Sequence, residues 1–281
     1  MPAKLKRSCV IGWPVEHSRS PLIHNYWLKH YGLAGAYSKE AVAPEALSEF
    51  LRTLEERGYV GCNVTIPHKE RAAELVVKAD ALSRRTGAVN TIYLENATMM
   101  GANTDGYGFT ENLKACAPAL NLAGARAMIL GAGGAAKAIL AALLDLGAGR
   151  IVLCNRSISR AQALARSFGP SVETLDWSSA SQAMESVSLL VNATSLGMAG
   201  RPELEVSLGA LPKAAVVYDI VYVPLETALL RRARARGHPT VDGLGMLLHQ
   251  ARPGFEKWFG VSPEVTPELR RRVEQHILGA S

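Results

Sequence analysis

The chain has 281 residues, 48% of them hydrophobic, which is enough for two modest domains with cores of their own. Its formal net charge of +6 comes from dispersed Lys and Arg rather than an arm or stripe. That distribution argues against nucleic acid and leaves a mild positive field suited to an anionic substrate and a phosphate-bearing cofactor. The four cysteines (Cys9, Cys62, Cys116, Cys154) lack metal-ligand or CxxC spacing, so a zinc module is excluded and a reduced, cytoplasmic protein without a metal is expected.

In chain order, Cys9 to Ile11 reads as a strand, followed by a loop and a helix from Leu22 to His30. A strand near Ala36 to Val42 precedes a helix over Glu45 to Arg57. A third strand, Cys62 to Ile66, stops at Pro67, and another helix follows. Ala88 to Leu94 and Met99 to Asn103 predict a hairpin that turns at Glu95-Asn96. After Asp105 the pattern restarts with a helix over Gly108 to Ala115 and a strand over Ala127 to Leu130. Strands recur at Ile151 to Leu153, Leu189 to Val191 and Ala215 to Tyr218, and everything from Leu244 on is helical. The most apolar helix candidate, Ala135 to Leu146, carries Lys137 and Asp145 and is too short to cross a bilayer.

Alternating strands and helices predict an α/β fold of two domains. The N-terminal domain, with a mainly parallel sheet, spans 1–105 and is completed by C-terminal helices over 243–281. A Rossmann-like dinucleotide domain spans 106–242, with the active site in the cleft between the two.

Gly131, Ala132, Gly133, Gly134, Ala135 and Ala136 follow an apolar strand and open an Ala/Leu-rich helix. This is the setting that the G-x-G-x-x-G/A fingerprint requires. Gly131 permits the turn, Gly133 lets a pyrophosphate approach the backbone, and amides at the helix start face the phosphates. NAD-binding folds usually carry Asp or Glu at the end of the next strand, about 20 residues on. Here the residues are Asn155, Arg156 and Ser157, with Arg160 one turn later. Two guanidinium groups match a 2′-phosphate, so NADP(H) is the expected cofactor.

In open α/β sheets ligands bind beyond the carboxyl ends of strands. Those ends here carry small polar groups: His17-Ser18-Arg19-Ser20-Pro21, Asn63-Val64-Thr65-Ile66-Pro67-His68-Lys69, Gly87-Ala88-Val89-Asn90-Thr91 and Asn103-Thr104-Asp105-Gly106. Singly, each has a structural explanation as a cap or turn residue. Together they outline a site.

These blocks, with Asn192-Ala193-Thr194-Ser195, Asp219 to Pro224, Asp242 to Leu247 and Gln250, resemble the shikimate dehydrogenase family over essentially the whole chain. The resemblance implies reversible NADPH-dependent reduction of 3-dehydroshikimate to shikimate, in aromatic amino-acid (chorismate) biosynthesis. It implies Lys69 and Asp105 as the catalytic pair and Ser18 and Ser20 as receivers of the substrate carboxylate. Thr65, Asn90, Asp105 and Gln250 would hold its hydroxyls, with Tyr222 on the substrate side. Ile220 and Gly243 would meet the nicotinamide end through their backbones. It allows monomers and homodimers, and a homodimer is the expectation.

The chemistry is coherent. Reduction of a ketone builds negative charge on oxygen, which Lys69 can stabilise and protonate, while Asp105 orients the ammonium. Either group can carry the proton. The alternatives are a quinate/shikimate dehydrogenase using NAD, a methylenetetrahydrofolate dehydrogenase, and a non-enzymatic NADPH-binding regulator. The paired serines, the Asn155-Arg156 loop and the presence of both Lys69 and Asp105 favour the NADP-dependent shikimate type.

Overall fold

The fold is that of a computed structural model whose described residues are 5–279; residues 1–4 and 280–281 of the expected domains lie outside them. The elements run β1 (Lys6–Gly12), α1 (Ser20–His30), β2 (Gly35–Ala41), α2 (Leu47–Arg52), β3 (Tyr59–Val64), α3 (Lys69–Leu75), β4 (Lys78–Ala79), α4 (Ala81–Thr86), β5 (Thr91–Glu95) and β6 (Thr98–Ala102). They continue α5 (Asp105–Cys116), β7 (Arg126–Leu130), α6 (Gly134–Asp145), β8 (Arg150–Asn155), α7 (Ile158–Phe168), β9 (Val172–Asp176), β10 (Val187–Asn192), β11 (Val216–Asp219), α8 (Ala228–Ala235), β12 (Thr240–Val241), α9 (Gly243–Phe259) and α10 (Pro267–Gly279). No helix among the described residues is long and apolar enough to cross a membrane.

The chain forms two compact units, Met1–Asp105 with Leu248–His276, and Gly106–Leu247 with Ile277–Ser281. The first is built on a mixed sheet ordered β2-β1-β3-β5-β6-β4, in which β5 runs antiparallel to β3 and β6. That antiparallel pairing brings the start of β5 and the end of β6 to the edge where β1 and β3 end. One face of the sheet packs Cys9, Ile11, Cys62, Val64 and Ile92 against Leu47, Phe50, Leu51 and Ala72 from α2 and α3.

On the first unit an aromatic group gathers His24 and Trp27 of α1, Tyr37 of β2, and Phe255 and Trp258 of α9. Trp258 Nε1 donates to the Ile92 carbonyl at 2.9 Å, so its polar atom is satisfied at depth. His24 is fully buried and its ring stacks on Tyr37 with centroids 4.1 Å apart. Burial drives its pKa from the usual range down to about 3.

An unfolded His24 therefore takes a proton near pH 6.5 that the folded chain refuses, so stability is complete above that pH and is lost as pH falls toward 3. Relative to His24→Phe, the native chain should lose about 3 kcal/mol on going from pH 7.5 to roughly pH 4.5. Urea unfolding of both proteins at the two pH values checks this, and parallel losses would contradict it.

The second unit carries an all-parallel sheet ordered β12-β11-β10-β7-β8-β9. Its inner strands β7, β8, β10 and β11 are buried on both faces because both are covered. Ala127 and Ile129 of β7 pack toward α5, α6 and α7, while Met128 and Leu130 pack toward α8 and the segment around Leu204 to Leu211. The first turn of α9 belongs here. Asn112 of α5 donates to the Tyr218 hydroxyl at 2.7 Å and the Asp242 carbonyl at 2.8 Å.

Several boundaries differ from the expectations. The helix over Glu45 to Arg57 contracts to a 3-10 turn at Pro44–Ala46 plus α2. The hairpin turns at Asn96 and Ala97, both at positive φ (51° and 59°), one residue later than expected. The register explains the shift. Ile92 pairs with Gly101 and is fully buried, and a one-residue slip would take it off the face it shares with Cys62 and Val64. Strands β4, β9 and β12 and helix α4 were not anticipated. The helix carries clear signals: Asp80 caps it by accepting from the Ser83 amide at 2.6 Å, and Gly87 ends it in the left-handed region.

Candidate active site

In the first unit the polar strand ends come together. Lys69 opens α3, placed by the segment after β3. The Thr65 amide donates to Ile11 O and the His68 amide to Thr65 O, both at 2.9 Å. Buried His68 anchors the turn through its Nε2 at 2.7 Å from the Val42 carbonyl, and the Lys69 carbonyl accepts from the Val89 amide. From this fixed base Lys69 Nζ reaches Asp105 Oδ2 at 2.6 Å. The two side chains are 29% and 13% exposed, so the pair is sheltered yet reachable.

Asp105 is held from the other side. Asn90 Nδ2 donates to its Oδ1 at 2.8 Å, and its own amide donates to Asn103 Oδ1 at 3.1 Å. It is the first residue of α5, where a carboxylate complements the helix dipole. Asn90 Oδ1 accepts from the Thr104 amide at 2.9 Å, and Gln250 Oε1 stands 3.5 Å from Asn90 Nδ2 and 3.4 Å from Thr104 Oγ1. Lys69, Asp105, Asn90 and Gln250 thus form one connected cluster.

At the end of β1, the Ser20 amide donates to Ser18 Oγ at 3.3 Å, and Ser20 begins α1 and is buried. Behind it runs a buried network that the sequence reading missed. Tyr37 Oη donates to Asn63 Oδ1 at 2.6 Å, and Asn63 Nδ2 donates to the Asn90 carbonyl and to Thr91 Oγ1, each at 3.1 Å. Asn63 lies in the polar block at the end of β3, where the local sequence gives it no role of its own. Its partner Tyr37 lies 26 positions away, a pairing that local pattern does not reveal.

In the second unit the glycine loop connects β7 to α6. Gly131 sits at φ +110°, and a Cβ there would lie 2.9 Å from the Ala193 carbonyl, so only glycine makes this turn beside β10. β7 lies between β8 and β10, the point where the strand order reverses and open α/β sheets bind their ligands. A Cβ on Gly133 or Gly134 would meet nothing within 4 Å. The space over this helix start is therefore open, as an approaching pyrophosphate requires.

Asn155 ties the loop to the next strand end. Its Oδ1 accepts from the Ala132 amide at 3.2 Å and its Nδ2 donates to the Ser157 carbonyl at 3.0 Å. Arg156 and Arg160 are exposed beside it, and Ser157 Oγ lies 3.0 Å from Ser159 Oγ. Ala135 lies in the first turn of α6. Half-buried Ile220 and Tyr222 follow β11, and the Gly243 Cα lies so close to the Ile220 carbonyl that a side chain could not be added. The residues expected for the cofactor thus share one edge of this sheet, and those expected for the substrate share one edge of the other, save Tyr222, which belongs to the second unit.

Buried Asp219, also missed, accepts from Asn192, Val221 and Thr227 at the end of β11, and burial pushes its carboxyl up to about 6. Two of the buried thiols are not poised as nucleophiles: burial raises Cys154 to about 12 and Cys9 well above its usual value.

Comparison with known proteins finds relatives along nearly the whole chain. Residues 10–92 match the shikimate dehydrogenase substrate binding domain, residues 114–200 the shikimate / quinate 5-dehydrogenase family, and residues 243–267 the shikimate 5′-dehydrogenase C-terminal domain. A shikimate dehydrogenase (NADP(+)) of Methylocella silvestris is 52% identical over 277 residues, covering 99% of both chains. Among solved structures, the Thermus thermophilus shikimate 5-dehydrogenase in complex with NADP(H) and shikimate superposes with a TM-score of 0.85 at 34% identity, covering 97% of this chain and all of the other. The Corynebacterium glutamicum quinate dehydrogenase in complex with NAD superposes with a TM-score of 0.89 at 30% identity, covering 96% and 99%. The chain belongs to the NADP-dependent shikimate dehydrogenase family.

Proposed function

We propose that Lys69 and Asp105 are the catalytic pair of a shikimate dehydrogenase that reversibly reduces 3-dehydroshikimate to shikimate with NADPH. The observation that carries the assignment is the sheltered 2.6 Å ion pair, oriented on its far side by Asn90. Bound NADPH supplies the hydride. Lys69 presents a positive donor to the ketone oxygen, stabilises the charge that develops there and lies where a proton must be delivered. Asp105 fixes the ammonium and has a carboxylate edge available to a substrate hydroxyl.

Ser18 and Ser20, beside the start of α1, take the substrate carboxylate, and Thr65, Asn90, Asp105 and Gln250 take its hydroxyls, with Tyr222 contributing from the loop after β11. The cofactor is held by Gly131, Ala132, Gly133, Gly134 and Ala135 at its pyrophosphate. Asn155, Arg156, Ser157 and Arg160 hold the 2′-phosphate end, and Ile220 and Gly243 the nicotinamide end. The open helix start over Gly133 and the exposed guanidinium groups beside it support this fit. A cytoplasmic location and a homodimeric assembly complete the reading. The first is supported by cysteines left as free thiols, the second by the family resemblance alone.

Turnover measured on shikimate and quinate, each with NADP and NAD, tests the proposal. Shikimate with NADP should be the preferred combination. Preference for quinate with NAD would assign the chain to the alternative chemistry of its relatives.

A further inference from the structure

We infer that Asp219 is a positioning residue that holds the Ile220–Val221 backbone in register for the nicotinamide end of the cofactor. The inference rests on the assignment of this sheet edge to NADP(H). Asp219 closes β11 and is the one acidic residue buried from solvent among those described. Its carboxylate gathers three separate segments. Oδ1 accepts from Asn192 Nδ2 at 2.9 Å and from the Val221 amide at 3.0 Å, and Oδ2 accepts from Thr227 Oγ1 at 2.7 Å. These donors belong to the end of β10, the loop after β11 and the cap of α8.

Asn192 extends the net. Its backbone carbonyl accepts from the Ile220 amide at 3.1 Å, and its Oδ1 accepts from the Thr194 amide at 3.0 Å and hydroxyl at 2.7 Å. The Thr194 side chain and Ala193 carbonyl in turn lie against Gly131. One hydrogen-bonded system therefore runs from the Thr194 segment, which packs against the glycine turn, to the loop on which Ile220 meets Gly243.

All three partners of the carboxylate are donors, so the site is built for its ionised form. A buried charge of this kind is a poor device for stability, because well-packed neutral groups do the same work at lower cost. The partners facing it from β10, the following loop and α8 are an amide, a peptide N–H and a hydroxyl, none of them charged. Burial accordingly lifts its pKa to about 6. Because the folded value stands above the unfolded one, the protonated form favours folding at low pH, and that contribution is lost as pH rises through about 6. Keeping the acid fits a role in holding the loop, where stability gives way to function.

The test compares Asp219→Asn with the intact protein in three measurements: affinity for 2′,5′-ADP, which reports the 2′-phosphate end alone; kcat and KM with NADP and shikimate; and melting temperature at pH 8 and pH 5. Asp219→Asn should bind 2′,5′-ADP within about twofold of the parent while kcat/KM for NADP falls at least about tenfold, a loss worth about 1.4 kcal/mol. It should melt no lower than the parent at pH 8, with the difference moving in the parent's favour at pH 5. Thr227→Val, which removes one donor, should act in the same direction, and Thr227→Ser should restore activity.

Unchanged kinetics in Asp219→Asn would overturn the inference, as would a parallel loss of 2′,5′-ADP affinity and melting temperature. Should that variant fail to fold, equal kinetics for Thr227→Val and Thr227→Ser would overturn it instead. Arg156→Ala serves as the control. If it retained full 2′,5′-ADP affinity, the cofactor assignment itself, and the inference resting on it, would fall.

Discussion

Replacing Lys69 with alanine is expected to lower kcat about a thousandfold, within the range that a positioned acid–base group contributes. NADPH binding, followed by its fluorescence, should stay within about twofold, because no residue proposed to hold the cofactor is touched. The argument is geometric. Lys69 springs from a turn locked by His68 and Thr65, and its ammonium meets the Asp105 carboxylate at 2.6 Å. Asp105→Asn should also be severely impaired, since it leaves the ammonium without its counter-charge. The two act as a unit, so the double variant should be no more than about threefold worse than the weaker single variant. Fully multiplicative losses would show that the pair does not share one step. Normal turnover in Lys69→Ala would remove the mechanism altogether.

The second large effect concerns cofactor choice. Arg156→Ala should raise KM for NADP by about 10- to 100-fold, the equivalent of losing charge-assisted hydrogen bonds worth about 1.5–3 kcal/mol. KM for NAD should change less than about threefold, since NAD has no 2′-phosphate to lose. Steady-state kinetics with both cofactors measures the difference. The structural basis is the exposed position of Arg156 directly after β8, on a loop that Asn155 ties to the glycine turn. Equal losses for both cofactors would mean that Arg156 acts by holding the loop rather than by meeting the phosphate.

How far the sequence reached depends on how local each signal is. The glycine loop was legible because an apolar strand, a glycine turn and an Ala-rich helix are consecutive in the chain. The same holds for Asn155-Arg156, whose meaning comes from their place after the next strand. β12 is two residues long and exists through its pairing with β11, so no periodicity announces it. β9, Val172–Asp176, has only Val172 fully buried and offers a weak pattern.

The buried polar network was illegible for a different reason. Tyr37 with Asn63, Asn112 with Tyr218, and Asp219 with Thr227 are joined by the fold across sequence separations of 26, 106 and 8. A lone Asn in a helix such as Asn112 reads as a surface residue until the tertiary structure encloses it. The two residues proposed as the catalytic pair were recognisable only as a set. Lys69 alone is an ordinary first-turn lysine, and Asp105 alone an ordinary helix-start acid.

The most direct measurement is spectrophotometric. Purified protein mixed with shikimate and NADP should produce NADPH absorbance at a rate proportional to enzyme, and 3-dehydroshikimate with NADPH should consume it. No change in absorbance in either direction, from protein that binds 2′,5′-ADP and melts cooperatively, would contradict the assignment of Lys69 and Asp105 to this reaction.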